Sequence, residues 1–122
     1  MTALRGCRVL VVEDEAFIAM TIEDILEALG CVVVGPAARV QQALELASRE
    51  PLDAALLDVN VAGEFVFPVP KLLVERRVPF AFVTGYGRSG LDGRYPDAPV
   101  LQKPFRAIDL ETVLNDLLNL KL

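Results

Sequence analysis

Val9-Leu10-Val11-Val12-Glu13-Asp14 decides the reading of this chain, because an unbroken apolar run ends abruptly on two acidic side chains. A dense Val/Leu run without alternation suits a strand covered on both faces, as in a parallel sheet flanked by helices. The same arrangement recurs downstream. Ala54-Ala55-Leu56-Leu57 runs into Asp58, Phe80-Ala81-Phe82-Val83 ends at Thr84, and Val100-Leu101-Gln102 runs into Lys103-Pro104. If these runs are parallel strands, Glu13, Asp14, Asp58, Thr84 and Lys103 gather at one edge of a sheet. In open α/β sheets the binding crevice lies there, beyond the carboxyl ends of the strands.

Between the runs lie segments of helical period. Ile18, Ile22, Ile25, Leu26 and Leu29 mark one apolar stripe, and Gly30 is its expected stop. Val40, Ala43, Leu44 and Ala47 mark a second, ended before Pro51. Leu110, Val113, Leu114, Leu117 and Leu118 mark the last. A helix after the third main strand is expected to start late, near Pro70, because Pro68 and Pro70 interrupt the segment. Residues 85–99 carry Gly85, Gly87, Gly90, Gly93, Pro96 and Pro99, so this stretch reads as a long loop holding one turn at most. A fifth apolar run, 31–34, completes a β-α-β-α-β-α-β-loop-β-α order. It implies an α/β, doubly wound, five-stranded parallel sheet with right-handed crossovers and a reduced or missing fourth helix.

The 122 residues are expected to form a single domain without a separate output domain. Lys and Arg total 12 against 17 Asp and Glu, a formal charge of −5, and no basic run appears, so no direct contact with nucleic acid is expected. The chain has no histidine and two cysteines, which excludes the usual Cys/His zinc sites. Cys7 and Cys31 read as small buried hydrophobes. No apolar stretch approaches a membrane span and no signal peptide is evident, so a cytoplasmic location is expected.

Glu13, Asp14 and Asp58 would place three carboxylates in one crevice. Two like unit charges 4 Å apart repel by about 4 kcal/mol at an effective dielectric near 20, so a cation or a proton must compensate. Oxygen-only ligands favour a hard divalent ion, Mg²⁺ first. Lys103 would serve as a compact positive charge against a bound anion, and Thr84 would offer a hydroxyl to a phosphoryl oxygen. Asp58, central among them, is a carboxylate nucleophile, and acyl-phosphate formation at aspartate is established covalent chemistry. Singly, these residues read as helix caps, turns and solvated charges, Asp14 or Glu15 as a cap of the first helix included. Their placement at four strand ends is what favours a site.

In this order the residues resemble the receiver domain of bacterial two-component response regulators, over essentially the whole chain. The resemblance implies a flavodoxin-like fold with strand order 2-1-3-4-5, an order the doubly wound rule itself illustrates with a relative of this family. It implies Asp58 as the phosphoacceptor, Glu13 and Asp14 as the acidic pair for Mg²⁺, and Asn60 as the position whose backbone carbonyl completes the metal shell. It makes Thr84 and Lys103 the residues that sense the phosphoryl group, with Asn60 and Tyr86 tuning its lifetime. Lys103-Pro104 matches a step that is commonly a cis peptide. Phe82-Val83-Thr84-Gly85-Tyr86 is similar to the atypical subgroup called FAT GUY receivers. Two departures stand out. The usual Met-Pro or Leu-Pro after the phosphoacceptor is absent from Val59-Asn60-Val61-Ala62-Gly63-Glu64, and the aromatic that usually precedes the lysine by three positions is Val100.

The resemblance implies a stand-alone receiver that takes a phosphoryl group from a sensor histidine kinase or histidine phosphotransfer protein and signals through a downstream protein partner. Phosphorylation would order residues 85–99. A homodimer face is conceivable around Phe65, Phe67 or the last helix. The alternative reading is a phosphorylation-independent pseudo-receiver, which the intact set Asp14, Asp58, Thr84 and Lys103 opposes. A small-molecule phosphohydrolase is a third, and no substrate-binding insert supports it.

Overall fold

The computed structural model describes residues 4–91 and 93–121. In chain order the elements are β1 (Arg8–Val12), α1 (Ala16–Ala28), β2 (Val32–Ala37), α2 (Val40–Arg49), β3 (Ala54–Asp58), β4 (Asn60–Val61), β5 (Glu64–Phe65) and α3 (Pro68–Glu75). They continue with β6 (Phe80–Thr84), a 3₁₀ turn (Gly87–Leu91), β7 (Val100–Gln102) and α4 (Ala107–Lys121). The main sheet is parallel with order β2-β1-β3-β6-β7, and β4 and β5 form a separate antiparallel hairpin. Discounting that hairpin, this is the expected 2-1-3-4-5 order. The fourth helix is reduced to the 3₁₀ turn.

Register does the work of assembling the site. Val12 pairs with Leu57, which sets Glu13 level with Asp58. Asp58 pairs with Val83, just before Thr84. Thr84 pairs with Gln102, just before Lys103. Every residue of β3 and β6 is buried, as continuous apolar runs require.

Alternate strand residues feed two cores. Val9, Val11, Leu56, Val83 and Leu101 face α1 and α4 and meet Ile22, Leu26, Leu110, Leu114 and Leu117. Leu10, Val12, Leu57, Phe80 and Phe82 face α2 and α3 and meet Ala43, Ala47, Val69 and Leu73. Burying one such Leu or Phe contributes about 1.5–3 kcal/mol, so each row anchors its helix.

The helix ends follow from local chemistry. Gly30 closes α1 at φ +85°, with Cys31 N–H donating to the Leu26 carbonyl at 2.9 Å. Helix α3 begins at Pro68, earlier than expected. Both prolines fall in its first turn, where backbone N–H groups have no helical partner to lose. Strand β2 runs on to Ala37, past the expected 31–34, through a cis Gly35–Pro36 bond and a register shift against β1. Cys7 and Cys31 are buried, as expected, and form no disulfide with each other. No helix among the described residues is long and apolar enough to cross a membrane.

Candidate phosphoacceptor cleft

A cleft of about 650 Å³ opens at the carboxyl end of the sheet, lined by Asp14, Glu15, Asp58, Asn60, Thr84, Tyr86 and Lys103 among others. Asp58 ends β3 on its floor. Val59 N–H donates to Asp58 Oδ1 at 2.8 Å, and Lys103 Nζ donates to Oδ2 at 3.2 Å. The carboxylate is thus held in one orientation by its own neighbour and by a cation from another strand.

Lys103 sits among three carboxylates. Its Nζ lies 2.9 Å from Glu13 Oε1, 3.2 Å from Asp58 Oδ2 and 3.7 Å from Glu15 Oε1. Burial alone would depress the ammonium's pKa. Hydrogen bonds and charges from Glu13 and Asp58 outweigh that and hold it above its ordinary value. The Lys103–Pro104 bond is cis, as the resemblance implied. Pro104 itself lies exposed beside the cleft, in a groove with Phe17 and Phe105.

Glu13 is the buried member of the acidic group, 2% exposed. Burial raises its pKa to about 7, with the Asp58 charge adding to the rise and Lys103 opposing it. Its Oε1 pairs with the Lys103 ammonium at 2.9 Å. Its other oxygen, Oε2, accepts from Glu15 N–H at 3.1 Å. Glu15 stands at the N-cap position of α1 without a side-chain capping bond. Asp14 is no cap either, because its Oδ2 accepts from Ala62 N–H at 2.9 Å, across 48 residues of chain.

Glu13, Asp14 and Asp58 each bring an oxygen to within 4.8 Å of the others. Three carboxylates that offer only oxygen donors fit a hard divalent cation. Asn60 lines the same cleft two residues past Asp58, at the start of the hairpin. Thr84 is buried, and its Oγ1 accepts from Tyr86 N–H at 3.1 Å, so the hydroxyl keeps its own proton for donation. Tyr86 is 80% exposed at the rim.

All of the residues named from the sequence meet here except Pro104, which lies beside the cleft. Three contributors were not foreseen: Glu15, the Ala62 amide, and Phe65, whose ring lines the cleft. Glu15 continues the Glu13-Asp14 run and could have been suspected on that ground. The other two depend on a hairpin with strands of two residues each, too short for any periodicity.

Residues 9–115 match the response regulator receiver domain family. The chain belongs to that family. This receiver is 32% identical over 122 residues to the phyllosphere-induced regulator PhyR of Methylorubrum extorquens, covering 97% of the chain and 46% of PhyR. It spans about half the length of the curated relatives it matches. Among solved structures, SdrG of Sphingomonas melonis Fr1 superposes with TM-score 0.84 at 41% identity, covering 96% of this chain and 99% of that one. The receiver domain of the sensor histidine kinase PA1611 of Pseudomonas aeruginosa superposes with TM-score 0.81 at 27% identity, covering 93% of this chain and 98% of that one. That structure holds a magnesium ion in its active-site cleft.

Proposed function

We propose that Asp58 accepts a phosphoryl group from a phosphohistidine on a sensor kinase or phosphotransfer protein. The observation that carries this is the Asp58 carboxylate, fixed by Val59 N–H and facing Lys103 and Thr84 across an open cleft. An Asp58 oxygen attacks phosphorus, the P–N bond to the donor imidazole breaks, and the imidazole leaves with a proton from solvent. The product is an acyl phosphate on Asp58. Lys103 is placed to balance negative charge on the transferred group, and the Thr84 hydroxyl to donate to one of its oxygens.

Glu13, Asp14, Asp58 and the Asn60 carbonyl would hold a Mg²⁺ ion, as the donor set and the PA1611 structure support. When bound, the ion supplies charge neutralisation between carboxylates and phosphoryl oxygens. With the chain carrying no histidine, the donor imidazole must come from a partner. An apolar groove of about 360 Å³ formed by Phe17, Ile18, Thr21, Pro104 and Phe105 adjoins Lys103 and suits that partner's surface. Output then passes to a protein partner, in the setting of the cytoplasm. The matched PhyR of Bartonella quintana is described as an anti-anti-sigma factor, an output of that kind.

The deciding experiment is intact-mass measurement after incubation with Mg²⁺ and acetyl phosphate. The wild type should gain one phosphoryl group, and Asp58→Asn none. Equal incorporation in both, or none in the wild type with either acetyl phosphate or a phosphorylated kinase, would remove the proposal.

A further inference from the structure

The β4–β5 hairpin borders the cleft, and Phe67, which follows it, touches the 85–99 segment. At its tip Ala62 and Gly63 adopt φ of +52° and +83°, a two-residue turn in the left-handed region that fixes where the Ala62 N–H points. It points at Asp14. At its base, Phe65 stacks on Phe67 with ring centroids 6.0 Å apart. Phe67 stacks in turn on Tyr95 at 6.4 Å, and the Arg94 guanidinium lies 4.4 Å from the Phe67 ring centroid. Tyr95 is itself held at φ +50°. A chain of contacts therefore runs from a cleft carboxylate to the side chains of Arg94 and Tyr95. Val100 has no ring to swing into the fold, but rings from the hairpin side occupy that face of the sheet instead.

We propose that the β4–β5 hairpin couples the cleft to residues 93–98, with Phe67 as the positioning residue that carries the coupling. This rests on Asp14 belonging to the cation site proposed above. Asp14 is exposed, so its bond to Ala62 competes with water and holds the hairpin tip weakly. A carboxylate can give one oxygen to a cation and the other to an amide. Fixing Asp14 therefore fixes the tip, which restricts Phe65, Phe67 and the side chains stacked on them. A ligand shifts a distant segment only through a contact that differs between states, and the Asp14–Ala62 bond supplies it.

Amide exchange and chemical shifts measured by NMR on the full chain test this, with Mg²⁺ alone and with Mg²⁺ plus beryllofluoride. In the wild type, amides of residues 58–60 and 84–86 should shift, and exchange at 93–98 should slow by about fivefold or more. In Phe67→Leu the cleft amides should still shift, while slowing at 93–98 falls below about twofold. Tyr95→Asn, which tolerates the positive φ and removes the ring, should behave alike and decides if Phe67→Leu fails to fold. Undiminished slowing in these variants overturns the coupling. So does a wild type whose cleft amides respond without slowing at 93–98. A wild type whose cleft amides do not respond at all overturns the phosphoacceptor reading, and this inference with it.

Discussion

The two faces of the sheet are covered by different means. Under α1 and α4, helices of 13 and 15 residues lay Ile22, Leu26, Leu110, Leu114 and Leu117 onto aliphatic strand residues. Under α2 and α3, helices of 10 and 8 residues leave room that Phe67, Phe80, Phe82 and Tyr95 fill, two of them on strands and two on connecting segments. The first face is a frame whose parts are locked by interdigitated branched side chains. The second joins its parts by ring contacts between elements that share few backbone hydrogen bonds, so its loops can adjust without unfolding the sheet. The cleft lies where the two faces meet, built from a rigid floor and an adjustable rim.

The largest effect expected from that contrast is on the aliphatic face. Leu114→Ala should cost about 3 kcal/mol in urea unfolding, because a fully buried Leu leaves a cavity that the frame cannot close. A loss below about 1 kcal/mol would mean the frame relaxes as readily as the ring face.

Glu13, on the floor, should make stability depend on pH. Its folded pKa of about 7 lies above the ordinary 4.5, so the folded state favours the proton. That contribution is complete below the ordinary value and is lost as pH rises through about 7. In chelator, Glu13→Gln should therefore gain on the wild type as pH rises through this window, by on the order of 2 kcal/mol. Thermal melts of both proteins across the window check it, and a constant difference would show that Glu13 is ionised throughout.

Phe17, 80% exposed on α1, tests whether the rigid face also receives the donor. Phe17→Ala should slow phosphotransfer from a protein donor about tenfold. Incorporation from acetyl phosphate should be unchanged, and equal slowing with both donors would place the defect in the cleft.

The smallest stability effect is expected on the ring face. Arg94→Gln removes an exposed cation–π contact and should cost about 0.5–1 kcal/mol in denaturant unfolding. A loss comparable to that of Leu114→Ala would erase the distinction between the faces.

The same division explains what the sequence disclosed. Strand runs ending on Glu13, Asp58, Thr84 and Lys103 are local signals, and parallel register turns them into neighbours by a fixed rule. The helix stripes ending at Leu29 and Ala47 are equally local. The hairpin was not legible, because Ala62 carries a positive φ that Gly or Asn would have advertised. The sequence points to a start of α3 near Pro70, since two prolines look like a late start until both are seen inside one first turn. Residues 85–99 read as a loop from their Gly and Pro content, and a 3₁₀ turn is the regular structure they hold. Yet Leu91 is buried and Tyr95 is packed among three Phe rings, contacts set by distant residues and invisible to composition.

The ammonium shared by Glu13, Asp58 and Glu15 has a kinetic consequence. One positive charge cannot offset all the carboxylates around it, so the mouth of the cleft would repel the proposed phosphorylated donor. Under the proposed function, entry would then be ordered: the inorganic ion first, the donor second. Raising ionic strength in the absence of divalent ions should relieve part of the barrier, and saturating divalent ion should remove that salt dependence altogether.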